Sequence, residues 1–229
     1  MTYKTLSEIR SEVKKALDLE EESFIPDAEI LLYINEAIDI AESEIHKIHE
    51  DYFLAESTVS LVNGTSEYAL PTNIYANKIR SVIYSNGSEV YEVNRISKLN
   101  SFIEVQQVRS FGSSERYQYM LKNDSANDGV EMILLPASRE TSTNLKIWYL
   151  RNSNRLSIDA DKCDIPEFYH FVTQYTKVRC YEKEGHPQHT SAVGVLSQLR
   201  DQMVQTLTGM VPDDKDQIPL DLTHYQEHS

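Results

Sequence analysis

The hydrophobic period of the chain changes twice, and that alone restricts it to a mixed architecture. Ile30, Ile34, Ala37, Ile38, Ala41, Ile45 and Ile48 recur at helical spacing, a sustained apolar stripe that needs other helices to pack against. Glu36, Asp39, Glu42, Lys47 and Glu50 lie mostly away from that stripe. Near Ser57 the pattern turns to short apolar runs bounded by turn residues, and from Asp164 helical spacing returns. The order is two helices, a β-rich insert, two helices and a tail. Helices at both ends with faces to bury pack most economically on each other.

Local signals place the elements. Thr5 followed by Glu8 reads as a capping box, and Leu6, Ile9, Val13 and Leu17 give a first helix to about Asp18. Pro26 and Asp27 open the second helix. Val59 and Leu61 before Asn63-Gly64, with Tyr68 and Leu70 after it, predict a β-hairpin. A second hairpin is predicted from Ile79–Tyr84, Asn86-Gly87 and Val90–Val93, and a short helix from Arg95 to Val105. Strands follow at Tyr117–Leu121, Val130–Leu135 and Leu145–Leu150, a set that suits a sandwich or small barrel. Asp164-Ile165-Pro166-Glu167 starts a helix with Phe168, Phe171, Val172, Tyr175 and Val178 on its apolar face, ending near Gly185-His186-Pro187. The last helix carries Ala192, Leu196, Leu199, Met203 and Leu207, with Gly209 as its C-terminal cap. Met210 to Ser229 hold two prolines, several acids and no helical period, and are predicted to be extended or disordered alone.

Charge narrows the function classes. Lys+Arg 22 against Asp+Glu 36 leaves −14, so wrapping nucleic acid by counterion release is disfavoured. A basic partner, or a surface past which DNA slides without sticking, fits better. Tyrosine is abundant, at 14 against one Trp, and suits half-wet protein interfaces. The opening residues have no apolar core for a signal peptide, and no run reaches membrane-span length. The expectation is a soluble protein made in a cytoplasm, with no membrane association.

Candidate chemical sites are sparse. His46-x-x-His49-Glu50 has helical spacing but lacks the His-Glu-x-x-His order and a third ligand, so structural or solvated histidines are the simpler reading. His186-x-x-His189 reads the same way. Asp159, Asp161 and Asp164 start like a calcium loop but lack its glycine and its later glutamate. Acids leading into a helix N-terminus explain them better. Cys163 and Cys180 make neither a Cys-x-x-Cys pair nor a zinc site. With no nucleophile elbow, phosphate loop or dinucleotide fingerprint, the expectation is a non-enzymatic protein with no catalytic residues, metal or cofactor.

Several segments, in order, resemble the head-to-tail adaptor (connector) proteins of short-tailed bacteriophages. They are Leu6-Ser-Glu-Ile9, Pro26-Asp-Ala-Glu-Ile30, Tyr33-Ile-Asn-Glu-Ala-Ile38 and Leu61-Val-Asn-Gly-Thr-Ser-Glu-Tyr-Ala-Leu-Pro71. Further on come Met132-Ile-Leu-Leu-Pro136, Lys146-Ile-Trp-Tyr-Leu-Arg151 and Ile165-Pro-Glu-Phe168. The resemblance implies a virion protein of the neck, forming a homo-oligomeric ring, usually of twelve copies, under the portal protein. Such a ring joins capsid to tail, seals packaged DNA and forms part of the genome-ejection channel, with tail nozzle or fibre proteins as further partners.

The expected fold is α+β: an antiparallel helical bundle of two N-terminal and two C-terminal helices with an inserted antiparallel β-sandwich or barrel-like domain. Residues 1–54 and 160–209 form the ring, 55–159 the insert, and 210–229 an extended C-terminal arm. Acids on helix two, Glu36, Asp39 and Glu42, would line a channel through which DNA passes without specific binding. Ile218, Leu220, Leu222 and Tyr225 of the arm, alternating with polar residues, would dock on the portal. The rival readings are another tail or neck ring component, such as a nozzle or tail-completion protein, and a β-sandwich recognition module built on Tyr84, Tyr91, Tyr117 and Tyr119.

Overall fold

A computed structural model describes residues 3–17, 24–101, 103, 116–124, 129–141 and 143–210. The fold is α+β, and the chain divides into two compact units, Glu50–Asn154 and the segments on either side of it.

The helical unit contains α1 (Leu6–Ala16), α2 (Asp27–Ile48), α3 (Tyr169–Glu184) and α4 (His189–Met210). Both arms of the capping box form at α1: the Glu8 amide donates to Thr5 Oγ1 (3.3 Å) and the Thr5 amide to the Glu8 carboxylate (2.8 Å). The Leu6 amide donates to the Asp161 carbonyl at 2.8 Å, tying the helix start to the segment before α3. Pro26 is the cap residue of α2 and Asp27 its first residue. Ile30, Ile34, Ala37, Ile38, Ala41 and Ile45 are fully buried, as their period requires, while Ile48 is half-buried.

Two helix limits differ from expectation. The Asp164-Ile165-Pro166-Glu167 stretch is a turn, closed by the Phe168 amide on the Ile165 carbonyl (3.0 Å), and α3 begins only at Tyr169. At its other end Gly185, at φ 66°, takes the left-handed conformation that stops a helix. Gly209 lies inside α4 rather than beyond it. α3 packs on α1, α2 and α4.

The other unit opens on a 3₁₀ turn, Glu50–Phe53, and contains β1 (Leu54–Ser60), β2 (Glu67–Ala69), β3 (Ile74–Ser85), β4 (Val90–Glu92), β5 (Asn94–Arg95), β6 (Gln118–Asp124), β7 (Gly129–Leu135) and β8 (Asn144–Arg151). They form two four-stranded sheets, in the orders β1-β8-β3-β4 and β2-β7-β6-β5. All neighbours are antiparallel except β5 and β6, which run parallel. Each sheet keeps two edge strands, so the unit is not a closed barrel. Side chains from both sheets, among them Val82, Leu145 and Ile147 of one and Met132 and Leu134 of the other, share one core.

The two predicted hairpins fare differently. β3 and β4 pair around Asn86-Gly87, where Asn86 Oδ1 accepts the Ser88 and Glu89 amides at 3.0 and 2.8 Å. The Asn63-Gly64 turn makes no hairpin, because β1 pairs with β8 and β2 with β7. Gly64 has φ 81° and its amide donates to the Ser138 carbonyl (2.7 Å), so the turn carries the chain from one sheet to the other. Of the predicted 95–105 helix, residues 99–101 and 103 are helical and Arg95 is in β5. Its other positions past Lys98 (residues 102, 104 and 105) lie outside the described residues.

Candidate interaction surfaces

The acids of α2 form a row, and the helical unit supplies a cation to most of them. Lys183 of α3 bonds Glu29, and Tyr33 donates to the same carboxylate at 2.7 Å. Arg179, one turn earlier on α3, lies 3.5 Å from Glu36 and over the Tyr33 ring. Arg155 reaches Asp39 at 2.5 Å, and Arg200 of α4 reaches Glu44 at 2.8 Å. N-terminal acids of α2 meet the C-terminal end of α3, so the two helices run antiparallel.

Titration follows these contacts. Hydrogen bonds from Lys183 and Tyr33 hold the Glu29 carboxyl below its ordinary range. Burial pushes the Glu44 carboxyl up, but hydrogen bonds from Arg200 and Lys47 outweigh it, and the net direction is down.

The three channel-lining candidates therefore occupy different settings. Glu36 and Asp39 are partly exposed and ion-paired within their own unit. Glu42 is only 8% exposed and stands on the buried side of α2, with a carboxylate oxygen 3.8 Å from His46 Nε2. Its position corrects the expectation that it lies away from the apolar stripe: it follows Ala41 and precedes Ile45 on a helix covered by neighbours over much of its girth. The partners Arg155, Arg179, Lys183 and Arg200 were not anticipated from sequence. One trace was available, since Arg179 and Lys183 are four residues apart and so share a face that can meet acids on a neighbouring helix.

The portal-binding candidates Ile218, Leu220, Leu222 and Tyr225 lie outside the described residues.

An open groove of about 480 Å³ along α1 is lined by Ser7, Arg10, Ser11, Lys14, Lys15 and Asp27. Arg10 pairs with Asp159 (2.9 Å) and Asp27 (3.7 Å), and Lys14 with Asp27 (2.5 Å), so its cations are largely compensated. Asp161 accepts the Ser157 and Ile158 amides, which hold its carboxyl low. Burial raises the thiols of Cys163 and Cys180 to about 11 and about 12, away from the range of a reactive thiolate. His186 stacks on Tyr181 with 4.5 Å between ring centroids. Among the described residues no three His, Cys, Asp or Glu side chains converge as a metal site. Tyr84, Tyr117 and Tyr119 are buried in the core of the β-rich unit rather than displayed as a recognition platform. No helix among the described residues is long and apolar enough to cross a membrane.

A family model described as SU10 adaptor protein matches residues 1–219. The chain belongs to the SU10 adaptor protein family. It is thus a structural adaptor of a bacteriophage head-to-tail neck, associated with portal and tail components. No curated protein matches this adaptor.

Proposed function

We propose that this adaptor forms a ring, of about twelve copies, below the portal, joining capsid to tail, sealing packaged DNA and forming part of the ejection channel. The observation that carries the reading is the family match across residues 1–219. The helical unit, read as an antiparallel bundle, forms the ring body; the antiparallel run of α2 and α3 fixed by Glu29–Lys183 and Glu36–Arg179 supports this. The β-rich unit, read as a sandwich, meets the tail nozzle or fibre proteins, and the core shared by its two sheets supports a rigid module of that kind. Residues 210–229 form an arm that docks Ile218, Leu220, Leu222 and Tyr225 on the portal, ordering on binding. The net charge of −14 suits a bore through which DNA passes without adhering.

The test is negative-stain imaging of the adaptor mixed with the portal ring of the same virus, beside each alone. The expected result is a new annular layer on one end of the portal, lost when residues 210–229 are deleted. A portal left bare at high adaptor excess would overturn the reading and point to a more distal tail component.

A further inference from the structure

Of the four strands at the sheet margins, β2, β4 and β5 are two or three residues long, while β1 runs for seven, about 20 Å. It pairs with β8 without a break in register, from Leu54 opposite Leu150 to Ser60 opposite Asn144. The Leu61 amide donates to the Thr143 carbonyl at 2.7 Å, which fixes the phase of the ladder: Ala55, Ser57 and Val59 bond β8. The amides and carbonyls of Glu56, Thr58 and Ser60 therefore point off the sheet. They meet no hydrogen-bond partner among the described residues, and all three residues are exposed.

A bare edge of this length pairs with any extended chain, and folded proteins blunt such edges with Lys, Pro, bulges or short strands. The rest of this unit does so. The part of β3 before Val82, which β4 does not cover, is broken by two register shifts, holds Ala76 and Asn77 at left-handed φ of 47° and 58°, and carries Lys78 and Arg80. β6 carries Lys122 past its pairing with β5. β1, Leu-Ala-Glu-Ser-Thr-Val-Ser, has no Lys, no Pro and no bulge. Leu54 and Val62, exposed at 42% and 53%, stand at its two ends.

The chemistry of the edge selects its occupant. Main-chain donors and acceptors spaced as in a β-strand are met by an extended polypeptide. On the inner side of the sheet Ala55 and Val59 pack on the core yet stay partly exposed, so aliphatic residues of an added strand fit beside them. On the outer side lies Glu56, bridged to the half-exposed Lys146 at 3.1 Å. β2, the edge reached through residues 61–66, exposes Glu67, which has no ion partner among the described residues. Lys or Arg at the alternate positions answers these acids. A second copy of β1 would bring another Glu56, and residues 211–229 of the chain itself hold five acids against one lysine. Like charge disfavours both.

We propose that β1 is a docking edge, to which an extended segment of a tail-side protein, alternating aliphatic residues with Lys or Arg, adds as a fifth strand of its sheet. This rests on the reading of the β-rich unit as the tail-facing one and names its contact. Main-chain hydrogen bonds supply the hold, and the alternation supplies the choice of partner.

Hydrogen exchange, followed by mass spectrometry that resolves single amides, tests the edge directly. The adaptor alone, the adaptor on its portal and particles carrying the complete tail are compared. The amides of Glu56, Thr58 and Ser60 are expected to slow tenfold or more in the tailed particles only. Thr58→Pro supplies a second measurement, since it removes one outward amide from an edge strand, where Pro is tolerated, and leaves the β8 ladder its donors. With its fold confirmed by circular dichroism, this variant is expected to layer on the portal like the wild type and to lower tail attachment tenfold or more. A folded T58P chain that takes tails like the wild type overturns the proposal. Slowing already on the portal overturns it too, because the occupant is then the portal or another adaptor. So does unchanged exchange of these amides in tailed particles. In that case the tail-facing reading survives if other segments of the β-rich unit slow there, and falls as well if none does. The exchange comparison uses the unaltered chain, so it decides the matter even if T58P does not fold.

Discussion

Glu50, the first residue of the β-rich unit, accepts from Lys78 at 2.7 Å and from Arg80 at 2.6 Å. Those hydrogen bonds, Lys78 first and Arg80 second, hold its carboxyl at about 2, well below the ordinary value near 4.3. A depressed folded-state value means that the stabilisation is fully present above the unfolded value. It is lost as pH falls from about 4.3 to about 2. The side chain is 43% exposed, so screening reduces the contribution to about 1 kcal/mol or less. Glu50→Gln should therefore lower the melting temperature by up to about 2–4 °C at pH 7. The gap to wild type should close on acidification towards pH 2. A gap that stays constant from pH 7 to pH 2 in differential scanning calorimetry would show that the ion pair is not the source.

At the scale of elements, a helix end makes the sharpest prediction. Gly185 terminates α3 at φ 66°, with nothing within 4 Å of a Cβ added there, so Gly185→Ala costs conformational strain alone. The expected loss is about 1 kcal/mol. Gly194 lies within α4 at ordinary helical φ and is equally unobstructed, so Gly194→Ala should gain about 0.5–1 kcal/mol from helix propensity. Opposite shifts in chemical-denaturation midpoints are expected; shifts of the same sign would mean that these glycines matter through contacts. The same contrast between local and distant causes governs what the sequence revealed. The capping box at Thr5 and Glu8, the stripe of α2, the stop at Gly185 and the β3–β4 hairpin are fixed by residues within a few positions of one another, and each was legible. The Asn63-Gly64 turn was legible as a turn but not as a crossing between sheets, because strand partners lie far along the chain: Leu54 pairs with Leu150 and Tyr68 with Met132. The candidate site was legible in the same partial way. Glu36, Asp39 and Glu42 could be placed on α2 by counting. Their settings could not, since Arg155 and Arg179 stand more than a hundred residues away and Glu42 turns on how much of α2 its neighbours cover.

For the whole molecule, the decisive fact is where the β-rich segment begins and ends. Its first strand pairs with its last, Leu54 opposite Leu150 at a Cα separation of about 5 Å, so the chain enters and leaves the sheet at neighbouring positions, four residues from either end of the segment. A contiguous segment with its own core and adjacent ends has what it needs to fold alone. The flanking helices have the complementary need: α1 and α2 precede the segment, α3 and α4 follow it, and α3 packs on all three of the others. Neither flank can bury its apolar stripe without the other, so they must be rejoined in one chain. Residues 50–154 expressed alone should therefore give a β-type circular dichroism spectrum and one cooperative thermal transition. Residues 1–49 joined to 155–229 through a short Gly/Ser linker should give a helical spectrum and a cooperative transition of their own. If the segment instead melts without cooperativity, or the rejoined helices fail to fold, then each part draws its stability from the other, and the nested order of the chain is a folding requirement rather than an insertion.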